Sequence, residues 1–398
     1  MRLARLFRRT PAPPREVDLT SGAHLADPAR TWSLCLGSEV PLRARPAGLL
    51  LARHVQVTAA LTHPDLSNAP SRYSVLHRSK AGRYEAAALA ANILPFLDGP
   101  AHVAARRPLS RAFHATFRNA GPMIAERAET IFAAPPAGDP VDLIPVARAF
   151  ALAAMTRFLG AGALEAAAAK AMTDAFFLLF APVRDAAAFS RANETLAAAR
   201  VDLVARVARL RGGPSDGFVS ALLAADPDLT DEKVADAALL VFADGVENIE
   251  AAIGSVLLTV PADDWADPDV PTATLVEEAL RLETPAQVIA RVARTETEIA
   301  GQPVAEGEAV FLALAAANRD GAVFPDPGRF DAGRDHGAVL TFGGGRHSCI
   351  GAPLARALTV AAAEVLRARG ARPLPGPVTW RPRFGHRWPE AVGMVFAR

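Results

Sequence analysis

Apolar residues recur at spacings of three and four along most of the chain, which is the period of an amphipathic helix. Alanine, leucine and arginine dominate these stretches, and runs of β-branched residues are few. Short strands are predicted only at 288–294, 297–299 and 309–312. We therefore expect a mainly α fold with small β-sheets. The clearest helices, bounded by glycine, proline or capping residues, are predicted at 146–158, 164–180, 187–211, 230–260 and 354–369.

A polar insertion interrupts the longest predicted helix, 230–260. Asp244, Glu247 and Asn248 stand at i, i+3 and i+4, so they share one face of an otherwise apolar helix. Gly245 lies among them and costs about 1 kcal/mol relative to alanine in a helix interior. A solvated face is one interpretation, but the flanks are strongly apolar. The pattern favours a polar site that faces a cavity.

Composition describes a globular chain of 398 residues, 51% hydrophobic and 21% charged. A net charge of +1 gives no indication of a nucleic-acid partner. No apolar run approaches the ~18 residues of a membrane span.

We expect 1–20 to be a basic tail that is extended, packed, or weakly bound to an anionic surface, and 21–398 to be one domain. Two cysteines suit a reducing, cytoplasmic location, with Cys35 as a packing residue.

A glycine-rich run near the carboxyl end leads from Phe342 to Gly351 and contains Cys349. The consecutive glycines 343–345 let the backbone approach a flat ligand or take positive φ values. Cys349 stands just before a predicted helix, whose first amides favour a negatively charged sulfur. A phosphate-binding loop is the alternative, but the Gly-Lys-Ser/Thr ending of such loops is absent. The run therefore predicts a functional thiolate.

This run closely resembles the haem-binding signature of the cytochrome P450 family, F-G-x-G-x-[HR]-x-C-x-G, and matches every fixed position. The resemblance implies the single-domain P450 fold, a helical bundle around the haem with small β-sheets. It also implies haem b ligated by the Cys349 thiolate. The cofactor contacts implied within the run are Phe342, Gly343, Gly345, His347 and Gly351.

Further segments resemble other motifs of this family. Glu278 and Arg281 are similar to the E-x-x-R pair, and Arg329 to the arginine that completes its structural triad. The stretch that begins at Asp98 resembles D-x-P-x-H-x-x-x-R. Its two basic residues, together with two matches elsewhere, are implied to bind the haem propionates: His102, Arg106, Arg291 and His347.

The polar insertion falls where the family has A/G-G-x-D/E-T. Gly245 and Glu247 match, and Gly245 is expected beside the cofactor. Asn248 replaces the threonine that contacts oxygen, and Asp244 replaces a small residue over the haem. We expect Glu247 to deliver protons through water, and Asn248 to donate a hydrogen bond to oxygen. Asp244 either pairs with a cationic or amine-bearing substrate or is neutralised internally.

The resemblance implies a monooxygenase that oxidises a small or medium organic substrate with O2. Electrons would come from a ferredoxin and its reductase or from a flavodoxin-type protein, docked near Arg107, Arg111 and Arg346. One alternative is a peroxide-driven peroxygenase or an oxidase that couples or cyclises its substrate, favoured by Asn248. Another is a haem-binding sensor or carrier without turnover. Candidate walls of the substrate pocket are Ile93, Leu94, Phe96, Phe176, Phe177, Phe180, Val241, Val288 and Ile289.

Overall fold

The computed structural model describes residues 16–182, 185–213 and 216–397. Residues 1–15 of the predicted basic tail lie outside the described residues. Glu16–Asp18, which the sequence assigned to the tail, forms the first strand of a sheet. The folded part of the chain therefore includes the last residues of the predicted tail.

Helices form most of the described structure, as the three-and-four periodicity predicts. The helix predicted at 187–211 is observed as Ala186–Leu210, with the Asp185 side chain accepting a hydrogen bond at its N-terminus. The described α-helices are, in chain order, α1 Gly22–Ala26, α2 Pro28–Leu36, α3 His54–Leu61, α4 Glu85–Ala90, α5 Gly99–Phe117, α6 Gly121–Ala133, α7 Leu143–Leu159, α8 Ala166–Phe177, α9 Ala186–Leu210, α10 Phe218–Ala225, α11 Asp231–Thr259, α12 Ala262–Ala266, α13 Thr272–Leu282, α14 Leu314–Ala317 and α15 Ala352–Ala368. Short 3-10 turns are Arg78–Lys80, Leu94–Phe96, Leu178–Phe180 and Gly345–His347.

The central helix α11 runs through the main hydrophobic core. It is 29 residues long, about 44 Å at ~1.5 Å per residue. The Thr230 hydroxyl accepts a hydrogen bond from the Lys233 amide at its N-terminus, 3.4 Å away. It packs against α7, α9 and α15, so residues along its length reach several parts of the molecule.

The β-structure is confined to short strands. They are β1 Glu16–Asp18, β2 Leu42–Arg45, β3 Gly48–Leu51, β4 Leu66–Ser67, β5 Val141–Asp142, β6 Val288–Ala293, β7 Thr297–Ile299, β8 Gln302–Val304, β9 Ala309–Ala313, β10 Arg372–Pro373 and β11 Gly393–Val395. The largest sheet has the order β1-β2-β3-β9-β6-β4. In it β3 and β9 run parallel, whereas β6 is antiparallel to β9. This sheet joins the first strands of the chain to strands near residue 300.

Cys35 is buried among apolar residues beside this sheet, where burial raises the pKa of its thiol to about 12. The interpretation of Cys35 as a packing residue agrees with this position. Within the described residues, no helix combines the length and apolarity that a membrane crossing requires.

Candidate functional site

The loop before α15 positions Cys349 at the centre of the candidate site. The Cys349 amide donates a hydrogen bond to the Phe342 carbonyl, 2.9 Å away, which closes the glycine-rich run into a tight loop. Gly345 has a φ of +66°, and a Cβ there would stand 2.7 Å from Thr62 Cγ2. Glycine is therefore required at 345 both by conformation and by the close approach of α3.

Cys349 is solvent-accessible in this structure, but desolvation by the surrounding protein dominates its electrostatics. Desolvation raises the pKa of the thiol to about 12, and the nearby Asp244 charge adds to this effect. The amides of Gly351 and Ala352, at the start of α15, and the Arg106 charge act in the opposite direction. The helix amides are directed at the sulfur as predicted, but they do not offset burial. A metal cation is the remaining means of ionising this sulfur.

Four basic side chains from separate segments come together near Cys349. The rings of His102 and His347 have centroids 4.0 Å apart, and His347 Nε2 lies 3.6 Å from Asp98 Oδ1. Arg106 donates to the Ser348 carbonyl at 2.8 Å. The fourth, on β6, is buried and close enough to Asp98 to feel its charge. The cluster consists of His102, Arg106, Arg291 and His347.

Asp98 is the acid that the structure places against this cluster, and it leaves several of the buried donors without an acceptor. Burial, followed by the charges of His347 and Arg106, lowers the pKa of His102 to about 4, and burial lowers that of Arg291 to about 10. Both ring nitrogens of His102 and Nε2 of His347 are buried without a hydrogen-bond partner. Buried polar groups are normally paired. An anionic group with several acceptor oxygens, such as a pair of haem propionates, fits this donor set.

Asp244 and Asn248 form a hydrogen-bonded pair on α11, and the Asp244 charge is close enough to act on the Cys349 sulfur. Asn248 Nδ2 donates to the Asp244 carbonyl oxygen at 3.0 Å and to Asp244 Oδ1 at 2.9 Å. Asn248 Oδ1 is buried without a partner. Burial raises the pKa of Asp244 to about 6, against the opposing effect of the Asn248 hydrogen bond. The amide donors of Asn248 are thus engaged, which differs from the expected donation to oxygen.

Glu247 is fully buried and lies among polar groups from two other segments. Its Oε1 accepts a 2.7 Å hydrogen bond from Thr173 on α8, and its Oε2 accepts one of 2.9 Å from Arg381. Lys170 Nζ lies 3.8 Å from Oε1 and contacts Asp174, whose side chain is 43% exposed. A chain of polar contacts through α8 therefore connects Glu247 to the partly exposed Asp174.

Gly245 serves helix packing in this structure. A Cβ at Gly245 would stand 2.6 Å from Cε of Met155 on α7. The Cβ direction at Gly245 is therefore occupied by Met155, and the expectation that Gly245 lies beside the cofactor stays a prediction. The close crossing of α7 and α11 explains a glycine in the middle of a long helix.

The structural triad around Glu278 requires a correction. Arg281 donates two hydrogen bonds to the Glu278 carboxylate, at 2.8 and 2.7 Å, and both side chains are fully buried. The second guanidinium comes from Arg334, 3.2 Å away, and His336 contributes a 3.0 Å contact. The side chain of Arg329 is 70% exposed and points elsewhere; only its backbone carbonyl accepts from Arg281.

The candidate pocket walls divide into core and partly exposed residues. Phe177 packs edge-on against Trp388, with centroids 4.7 Å apart, and belongs to the core. Phe96 and Phe180 stack on each other at 5.0 Å and are partly exposed. Ile289 is also partly exposed. The remaining candidates are buried: Ile93, Leu94, Phe176, Val241 and Val288.

Exposed basic residues lie on α5 and in the Cys349 loop. Arg107 and Arg111 are exposed on α5, one turn apart, and Arg346 is exposed within the loop itself. His114 and Arg118 continue the same face of α5 and are also exposed. We call these five residues the basic surface.

Comparison with known proteins identifies the family. The cytochrome P450 family model matches residues 272–368, which include the Glu278 and Cys349 motifs. The vitamin D(3) 25-hydroxylase of Pseudonocardia autotrophica is 30% identical over 355 residues, covering 85% of each protein. The chain belongs to the cytochrome P450 family. The prediction of a P450 enzyme from the Cys349 run is thereby confirmed.

Other matches agree with this assignment. Cytochrome P450 105C1 of a Streptomyces species is 40% identical over 179 residues, so the chain aligns with 47% of the length of that relative. The structure of cytochrome P450 CYP109Q5 from Chondromyces apiculatus superposes with a TM-score of 0.82 at 25% identity. This superposition covers 96% of the present chain and 98% of the other. The mainly α P450 fold is thereby confirmed.

Sequence reasoning missed the partners of the buried acids. Arg381, which contacts both Glu247 and Glu250, follows no motif and lies 131 residues from Glu250. Lys170 and Thr173 were readable as polar positions in the apolar helix α8, spaced three apart on one face. That spacing was the available signal for a polar contact with α11.

Proposed function

We propose that this P450 is a monooxygenase that binds haem b through the Cys349 thiolate and oxidises a small or medium organic molecule. The observation that carries the proposal is the convergence of the Cys349 loop with the unpartnered donors of His102 and His347. When bound, the haem supplies the activation of O2, so that one oxygen atom enters the substrate and the other leaves as water.

The basic cluster would hold the cofactor by its propionates. Arg106 and Arg291 supply positive charge, His102 supplies ring nitrogens that have no hydrogen-bond partner among the described residues, and His347 Nε2 has only the 3.6 Å contact with Asp98. Since buried carboxylates need compensation, these four residues would also orient the cofactor relative to Cys349.

Glu247 would move protons from the surface to the site. Asp174 is partly exposed, Lys170 contacts both carboxylates, and Glu247 lies fully buried on the far side of Lys170. Arg381 holds the opposite oxygen of Glu247 and so fixes its position. The three α8 and α11 side chains thus form a polar route through an otherwise apolar region.

The electron donor would be a separate acidic protein of the ferredoxin or flavodoxin type, docked on the basic surface. Arg107 and Arg111 present positive charge on α5, while Arg106, on the same helix, reaches the Ser348 carbonyl beside Cys349. Complementary charge would speed the encounter and orient the partner.

The protein would act in a reducing, cytoplasmic location, which the free thiols of Cys35 and Cys349 support.

A second candidate function, peroxide-driven oxygenation, is favoured by the Asn248 geometry. Asn248 Nδ2 is engaged by Asp244, and an amide does not relay protons as a hydroxyl does. An enzyme that takes its oxygen from peroxide has less need of that relay. Turnover with peroxide alone, compared with turnover that depends on an electron donor, separates the two functions.

The absorption spectrum of the reduced carbonyl complex tests the ligand. We expect the band position of a thiolate-ligated haem, its loss in Cys349→Ala, and its retention in Cys35→Ala, which removes the other cysteine. A thiolate-type spectrum that persists in Cys349→Ala would refute the assignment of the ligand. Product formation by the reconstituted protein then distinguishes an enzyme from a haem carrier.

A further inference from the structure

Asp244 differs from the other buried acids of α11 in its partners. Three of them each contact an arginine: Asp236 contacts Arg200 at 2.7 Å, Glu247 contacts Arg381 at 2.9 Å, and Glu250 contacts Arg148 at 2.6 Å. Among the described residues, the only side chain that hydrogen-bonds to Asp244 is the neutral amide of Asn248. The helix thus carries one interior carboxylate for which the described part of the chain supplies no cation.

The position of Asp244 places this charge in the candidate site. It is close enough to Cys349 for its charge to act on the sulfur, and its side chain is partly accessible although it lies inside the protein. An ionised carboxylate in such a low-dielectric region is stabilised by a nearby positively charged group.

Haem binding does not supply the missing charge. A ferric ion is balanced by the porphyrin dianion and the Cys349 thiolate, and the propionates are matched by the basic cluster. Asp244 therefore remains without a counterion after the cofactor is bound. The substrate is the remaining component of the reaction that can carry one.

We propose that Asp244 is the specificity-determining residue of this P450 and pairs with a cationic, amine-bearing substrate. This inference rests on the proposed function. Asn248 acts as a positioning residue for Asp244. Its Nδ2 donates hydrogen bonds to Oδ1 and to the backbone carbonyl oxygen of Asp244. The second carboxylate oxygen is then oriented for the substrate cation.

Matched ligands that differ only in charge test the proposal on the haem-loaded protein. Trimethyl(3-phenylpropyl)ammonium and its carbon isostere (4,4-dimethylpentyl)benzene have the same shape, and neither can ligate iron through nitrogen. Pairs built on butyl, octyl and dodecyl chains extend the series. Dissociation constants are measured by calorimetry and by the absorption change of the haem, so the readout does not depend on turnover.

The decisive quantity is the affinity ratio of ammonium to isostere in each variant. We expect this ratio to fall by about tenfold or more from wild type to Asp244→Asn, and to be retained in Asp244→Glu, which keeps the charge. Binding of the isosteres should change little. If Asp244→Asn does not load haem, comparison of the two ligands on wild type alone decides: preference for the isostere at every chain length overturns the proposal.

The remaining outcomes are also distinguishable. An equal ratio in wild type and Asp244→Asn overturns the pairing, as does a failure of wild type to bind any ammonium. In either case a thiolate-type carbonyl spectrum would leave the proposed function standing. A protein without that spectrum would instead refute the proposed function itself.

Discussion

Replacing Arg334 with alanine removes the second guanidinium that faces Glu278. The Nε of Arg334 lies 3.2 Å from Glu278 Oε1, with side chains 9% and 0% exposed. Arg334 also donates to the Pro325 carbonyl at 2.8 Å. After the change, Glu278 keeps its two hydrogen bonds from Arg281 and the contact with His336. The charge of the carboxylate therefore stays compensated, and the loss is confined to one charge-assisted contact and its packing.

These contacts set the expected magnitude. Hydrogen bonds to charged groups contribute ~1.5–3 kcal/mol, so Arg334→Ala should lower the free energy of unfolding by about 2–3 kcal/mol. Arg329→Ala is the matched control, because its side chain is 70% exposed and 4.0 Å from Asp331, and we expect a change within about 0.5 kcal/mol. Glu278→Ala leaves Arg281 buried and unpaired, at a cost of about 3–5 kcal/mol.

Urea unfolding of the haem-loaded variants, followed by far-UV circular dichroism and by haem absorption, measures this order. The urea midpoint should be highest for Arg329→Ala, lower for Arg334→Ala and lowest for Glu278→Ala. A loss for Arg329→Ala equal to that for Arg334→Ala would refute the assignment of the second arginine. An unchanged midpoint in Arg334→Ala would show that the contact contributes nothing.

The same site has a pH signature. Burial would raise the pKa of Glu278, but hydrogen bonds from Arg281 and His336 outweigh it and lower that pKa from 4.5 to about 2. Because the pKa is depressed in the folded state, the stabilisation is present above about pH 4.5 and is lost as the pH falls towards 2. The stability difference between wild type and Glu278→Gln should therefore shrink over that range. A difference that is constant with pH would contradict this reasoning.

Three further predictions concern other parts of the site. Gly345→Ala should lower the free energy of unfolding by about 2 kcal/mol and weaken haem retention, because Gly345 has a φ of +66° and a side-chain carbon would lie 2.7 Å from the new Cβ. Gly343→Ala is the control and should cost less, because Gly343 has the same φ but open space around the Cβ position. Equal losses in urea unfolding would contradict the steric argument. Arg381→Ala should cost about 3–5 kcal/mol in the same assay, because two buried carboxylates lose their shared partner, and an unchanged midpoint would dismiss the network. Reversing charge at Arg107 and Arg111 should slow reduction by an acidic electron carrier about tenfold at low ionic strength, with the difference closing as salt is added; slowing that is insensitive to salt would exclude electrostatic docking.

The elements that could be predicted from the sequence are those with a regular hydrophobic period and those that carry a motif of a few neighbouring residues. The helix expected at 230–260 is observed as Asp231–Thr259, because capping and proline signals define its ends. The Cys349 loop was also recognisable, since its glycines and cysteine are close together in the chain. Arg334 was not, because it lies in an irregular segment where spacing does not indicate which arginine turns inwards. The engaged amide of Asn248 depends on a side-chain rotamer, which no sequence pattern specifies.

The largest sheet can form only late in translation, because it pairs strands that are far apart in the sequence. Strand β3 ends at Leu51, yet its parallel neighbour β9 ends at Ala313, about 260 residues later. At ~5–20 residues per second, the ribosome needs roughly 15–50 s to supply that neighbour. During this interval an apolar strand edge of the nascent chain has no native partner, which exposes it to aggregation. Production in cells should therefore benefit from chaperones that bind the first 60 residues while translation continues.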